Sequence, residues 1–117
     1  MPRYVRGEIV LVPFPFSGDE GYKPRPAIVL ASWPYRGSRD YYLCMISTQI
    51  ETDPYLMELS TSDLLSGRLS ETCYIRPTYN FSADEEFIKH TIGKLKPEKL
   101  KALLFTLFTV LTKDDEQ

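Results

Sequence analysis

Apolar residues fall along most of the chain in short runs cut by proline and glycine, and a sustained helical period appears only near the end. "GEIVLVPF" reads as a first strand, because Ile9, Val10, Leu11 and Val12 form a β-branched-rich run that Pro13 and Pro15 then stop. "AIVLAS" reads as a second strand and "YYLCMIST" as a third, joined by "WPYRGSRD", a connection punctuated by Pro and Gly. Both runs are almost continuously apolar, which predicts cover on both faces of the sheet. "YLMEL" is a weaker fourth strand and "TCYIRPTY" a fifth. Ser82 with Glu85 three residues on resembles a capping box for one helical turn, after which "HTIGKL" returns to extended chain.

The last element is a sustained helix. Pro97 stands at its first turn, and Leu100, Leu103, Leu104, Leu107 and Leu111 recur at three- and four-residue spacing, which predicts one apolar stripe. Strands in hairpin order followed by a single helix predict a mainly β fold, an SH3-like small antiparallel barrel with a helix packed on it. No repeat, linker or shift of composition divides the 117 residues, which are expected to form a single domain spanning 1–117.

Charge changes this picture more than composition does. The net charge is −2, yet residues 1–39 carry +3 (six basic, three acidic) and residues 40–88 carry −7 (two basic, nine acidic). Residues 89–112 return to +4 (five basic, one acidic). The net balance argues against a general nucleic-acid coat, while its uneven distribution allows a basic site confined to one face. The apolar stretch "ALLFTLFTVL" is too short and too interrupted to span a membrane, and "MPRYVRGEIV" lacks the apolar core of a secretory signal, so a cytoplasmic protein is expected. Cys44 and Cys73 lie within apolar runs without a Cys or His at ligand spacing, and core thiols are expected rather than a disulfide or a metal site.

One stretch stands apart. In "KPRPAIVL" Arg25 sits between Pro24 and Pro26 at the start of the second strand, on backbone with little freedom left to lose. If the second and third strands form a hairpin, the start of one and the end of the other share a sheet edge, which brings Arg25 near Ser47, Thr48 and Gln49. The middle of the connection, at residues 36 and 37, is about equidistant along the chain from Arg25 and Ser47. A guanidinium beside hydroxyls and an amide suits a phosphate oxygen. A solvated arginine at a strand end fits the same residues.

Taken in order, "RGEIVLVPFPFSG", "KPRPAIVL", "CMISTQI", "CYIRP" and "HTIGKL" before a leucine-rich helix resemble the MazF/PemK family of toxins from type II toxin–antitoxin systems, over about residues 5–111. The resemblance implies an SH3-like barrel, a homodimer formed through an extended barrel face, and a cognate antitoxin whose C-terminal segment covers the RNA site. It also implies an endoribonuclease that cleaves single-stranded RNA at short sequences without a metal or other cofactor. The catalytic arginine of the family falls on Arg25 and its hydroxyl residue on Ser47. The expected reaction is attack of a ribose 2′-hydroxyl on its own phosphorus, leaving 2′,3′-cyclic phosphate and 5′-hydroxyl ends.

Expected RNA contacts are Phe14, Phe16, Lys23, Arg36, Thr48, Gln49 and Arg76, since exposed aromatics interleaved with cations suit a single strand. Tyr22, Trp33, Tyr35 and Arg39 lie in the same loops, and core packing is an equal alternative for the two phenylalanines. Asp19, Glu20 and Glu8 are base candidates by proximity in sequence, and His90, the one histidine, is expected to be structural. The chain departs from the family pattern at Glu8, where many relatives have Asp, at Cys73, where they have Ser, and at Thr78, where an Asp follows the "RP". With Cys73 and Thr78 at these places, the motif itself supplies no acid at the fifth strand. Two rival functions are a gyrase poison of the CcdB type and a barrel that only binds RNA or protein. The first depends on an apolar Trp-Gly-Ile terminus, where this sequence reads "TKDDEQ".

Overall fold

The computed structural model describes residues 2–14, 23–50 and 52–114, with Phe14 placed by its backbone alone. The short apolar runs form strands β1 (Glu8–Phe14), β2 (Lys23–Tyr35), β3 (Ser38–Ser47), β4 (Met57–Leu59), β5 (Leu64–Gly67), β6 (Cys73–Asp84) and β7 (His90–Leu95), before helix α1 (Pro97–Thr112). All pair antiparallel in one curled half-barrel sheet, in the order β4-β6-β3-β2-β1-β7-β5. This is the mainly β architecture with a terminal helix that the pattern predicts.

The unbroken apolar character of β2 and β3 follows from a core on each face. Ile9, Ile28, Leu30, Cys44, Ile46, Ile75 and Leu95 pack with Leu103 of α1 on one side. Val10, Val12, Ala27, Val29, Tyr41, Leu43 and Ile88 form a second core on the other. Tyr41 is wholly buried, and its hydroxyl accepts from the Arg3 amide at 2.9 Å while donating to Glu85 at 3.0 Å. Burial, the largest cause, raises its pKa.

Three local expectations are corrected, and one strand, β5, has no counterpart among those the pattern predicts. "WPYRGSRD" is not a loop: β2 and β3 run on to a two-residue turn at Arg36 and Gly37, whose φ values of 49° and 78° suit a tight hairpin. Ser82 is inside β6, and the cap of the short turn that follows is Asp84, whose side chain accepts the Glu86 amide at 3.0 Å. β5 has only four residues, too few to show a period, and its approach to β7 depends on paired glycines, Gly67 and Gly93. The leucines of α1 do not form one stripe. Leu100, Leu103 and Leu107 face the core, whereas Leu104 and Leu111 join Phe105 and Phe108 on an exposed second face.

Both cysteines are free and buried, as their apolar surroundings predict. Burial pushes the Cys44 thiol up to about 12, so it stays protonated at neutral pH. Folded protein at pH 8 should therefore leave Cys44 unlabelled by iodoacetamide, as read by mass spectrometry, with labelling only after denaturation. A Cβ at Gly67 would stand 2.3 Å from the Ile92 carbonyl oxygen at a φ of +89°. Gly67→Ala should lower stability by at least about 2 kcal/mol, measured as a fall in urea midpoint with unchanged slope.

Candidate functional site

Proline chemistry sets the geometry around Arg25. The β2–β3 ladder runs from Tyr35↔Ser38 to Ala27↔Met45 and ends there, where Pro26 and Pro24 begin. Neither proline has an N–H to offer β3. The outer flanks of the two strands continue past this point: β1 pairs Val12↔Arg25 and Phe14↔Lys23, and β6 pairs Tyr74↔Ser47. Arg25 is thus held from one side and Ser47 from the other, across the unpaired end of the hairpin. The register at Ala27↔Met45, continued by two residues, sets Arg25 level with Ser47.

Residues that pair across antiparallel strands share a face. Arg25 shares the face of Val12 and Ala27, and Ser47 that of Met45, so both side chains lie on the side of the second core. Both are half-buried. Among the described residues, no carboxylate pairs with Arg25. The Ser47 hydroxyl accepts the Gln49 amide at 3.0 Å, which turns the chain away from β3 and leaves Thr48 and Gln49 exposed beside it.

Arg76 belongs to the same face, since it pairs with Met45 as Ala27 does from the other side. Its guanidinium lies over the Tyr79 ring, 5.3 Å from the centroid, with Nε 4.0 Å from Asp53 Oδ2. Lys23 is exposed at the start of β2, opposite Phe14. Arg36 is not brought to this group. It occupies the hairpin tip eleven residues along β2 from Arg25, roughly 35 Å at strand rise, over the Tyr35 ring at 5.2 Å. Trp33, Tyr35 and Tyr42 are exposed at that distant end too. Phe16 and Tyr22 lie outside the described residues, as do Asp19 and Glu20.

Glu8 sits at the far end of β1 from Val12, where its Oε1 accepts the Val5 amide at 2.7 Å. His90 is exposed and pairs with Leu11, which pairs with Pro26, so it belongs to the opposite face from Arg25. Sequence reasoning missed three groups. Tyr74 pairs with Ser47 and shares its face, Glu58 on β4 pairs in turn with Tyr74, and Asp53 meets Thr78 with a 2.5 Å hydroxyl–carboxylate bond. An acid does stand beside this strand, supplied from another segment. None of the three had a local signal, because each reaches the site only through long-range pairing.

Among the described residues, no cluster of His, Cys, Asp and Glu could hold a metal ion, and no helix is long and apolar enough to cross a membrane. No curated protein sequence matches the chain. Solved structures with the same fold include an endoribonuclease in complex with its cognate antitoxin from a mycobacterial species, with a TM-score of 0.66 at 17% identity over 97% of this chain and 99% of that one. The Mycobacterium tuberculosis toxin MazF-mt6 gives a TM-score of 0.67 at 14% identity over 92% and 99%. At such identities the likeness speaks for the fold. Family membership rests on the sequence itself: the profile of the PemK-like, MazF-like toxins of type II toxin–antitoxin systems matches residues 5–111, and the chain belongs to that family.

Proposed function

We propose that this protein is a sequence-selective endoribonuclease toxin that cleaves single-stranded RNA by 2′-hydroxyl attack, leaving 2′,3′-cyclic phosphate and 5′-hydroxyl ends. The observation that carries the reading is that Arg25 and Ser47 lie on one face, each two residues beyond the last pair of the hairpin ladder, with no described carboxylate to neutralise the guanidinium. RNA supplies its own nucleophile, so the protein must hold the phosphate in line and stabilise the charge that grows on it. Arg25 binds the non-bridging oxygens through the planar fork of its guanidinium. Ser47 donates a hydrogen bond from its hydroxyl to the same phosphate and so fixes its position. Lys23, Thr48, Gln49 and Arg76 contact the flanking strand, and Phe14 and Phe16 are the aromatic residues assigned to stack on its bases.

Partners follow from the same site. An antitoxin segment that is acidic and partly apolar would cover Arg25, binding as RNA does and excluding it. The chain acts as a homodimer, a reading supported by the contiguous outer face of α1, where Phe105 is 71%, Phe108 64% and Leu111 81% exposed. Scattered apolar residues need no partner, but a continuous patch does.

The wild-type protein should cut a long single-stranded RNA in EDTA, leaving ends that a 5′-kinase labels directly. Arg25→Ala should slow cleavage at least about 10²–10³-fold, the usual cost of one preorganised donor, with the fold retained. Arg25→Lys should fail substantially as well, and Ser47→Ala should lose roughly tenfold to a hundredfold. Folded Arg25→Ala protein cutting at the wild-type rate would remove this site from consideration. In light scattering at micromolar concentration the wild type should have the mass of a dimer and a Phe105→Glu/Phe108→Glu variant that of a folded monomer; a monomeric wild type would refute the assembly.

A further inference from the structure

The pairing of β3 with β6 is interrupted once, beside the candidate site. Cys44 pairs with Asn80 and the next residue, Met45, with Arg76, so residues 77–79 are looped out of the ladder. Pro77 begins this bulge, and the bulge is pinned at its base: Cys44 Sγ donates to the Arg76 carbonyl at 3.2 Å, and Asn80 Nδ2 donates to that of Pro77 at 2.9 Å. Bulges of this kind re-aim side chains next to functional sites. Here the looped residues serve the side chain just before them. Tyr79 lies beneath the Arg76 guanidinium, and Thr78 donates to Asp53.

Asp53 comes from the segment that follows β3. Its side chain is only 6% exposed, and both oxygens are engaged: Oδ1 accepts the Tyr55 amide at 2.9 Å and Oδ2 the Thr78 hydroxyl. Oδ2 also faces Arg76 Nε at 4.0 Å, beyond hydrogen-bond reach, and that Nε is buried without a hydrogen-bond partner. A carboxylate held this rigidly by neutral donors presents a fixed negative charge to one edge of the guanidinium, while the Tyr79 ring supports its plane. Among the described residues no acceptor bonds the terminal nitrogens of Arg76, whose side chain is 24% exposed.

We propose that Asp53 is a positioning residue of the Arg25 and Ser47 site: with the 77–79 bulge, it fixes Arg76 as a second phosphate-binding guanidinium. The proposal rests on the RNA reading above and adds to it a residue that acts through another. Simple neutralisation is the opposite effect and is distinguishable. A carboxylate that merely screens Arg76 weakens RNA binding, so removing its charge would tighten the complex. A carboxylate that aims Arg76 strengthens binding, so removing it would loosen the complex.

Asp53→Asn tests this, since an amide oxygen can still accept the Tyr55 N–H and its NH₂ can donate to the Thr78 hydroxyl, leaving charge as the main change. Binding of a mixed-sequence single-stranded RNA with 2′-O-methyl riboses, which cannot be cleaved by 2′-attack, would be measured against salt, because phosphate contacts do not depend on base identity. Arg76→Ala should weaken binding about tenfold and lower the salt slope by about 0.7. Asp53→Asn should weaken it by a comparable factor, and in the Arg76→Ala background it should add nothing. The Arg76 Nε–Hε NMR signal should be resolved and slow to exchange in the wild type and averaged in Asp53→Asn, a readout that needs no RNA. Tighter binding by Asp53→Asn, additive effects in the double variant, or an unchanged Arg76 signal would each overturn the positioning role and leave the RNA reading standing. Wild-type protein that neither binds nor cuts RNA would instead overturn that reading, and the role assigned to Asp53 with it.

Discussion

Two absent amide hydrogens organise this molecule. Pro24 and Pro26 have no N–H to give, and the ladder between β2 and β3 stops at Ala27↔Met45 while the neighbouring ladders continue. A central hairpin that paired to its end would be sealed there. Because it stops early, Arg25 and Ser47 face each other across unpaired backbone, each still anchored by an outer strand. The prolines also limit the backbone of the arginine, so rigidity and openness have one covalent cause. The second core supports this arrangement from below, with Val12, Ala27 and Met45 next to the polar pair.

How much of this was legible depends on the range of the interaction. The strands β1, β2 and β3, the extended "HTIGKL" and the helix starting at Pro97 were readable because runs, periods and prolines act locally. The placement of Arg25 near Ser47 was readable because a hairpin folds about its midpoint, and the turn does fall at Arg36 and Gly37. The same turn misled in another respect: Pro34 and Gly37 suggested a loop, whereas the strands extend to the tip and carry Arg36 and Trp33 away from the site. β5 was illegible because what forms it is a close approach of Gly67 to Gly93, and glycine proximity leaves no pattern in either segment.

Periodicity also has a blind spot in α1. Spacing of three and four residues marks a helix but does not say how wide its apolar sector is, and the leucines divide between two adjoining faces. Leu103 is fully buried, while Leu104, one residue on, is 39% exposed and continues into Phe105 and Phe108. The core side completes a fold. The outer side is more apolar than a solvated face requires, and that excess is what supports the proposed homodimer.

The acidic middle of the sequence resolves in the same way. Residues 40–88 carry nine carboxylates against two basic side chains, a balance that argues against a polyanion on this surface if charge is smeared evenly. Charge is not smeared. Glu85 serves the buried Tyr41, Asp84 caps a turn, Asp63 meets Lys99 and accepts the Ser60 amide, and Asp53 is committed to Thr78, Tyr55 and Arg76. Each of these acids is fixed by local donors, and none of them lies against Arg25. A field that falls off within about a Debye length of 8 Å at physiological salt is governed by the nearest groups, so the local arrangement at the open hairpin end outweighs the net charge of the chain.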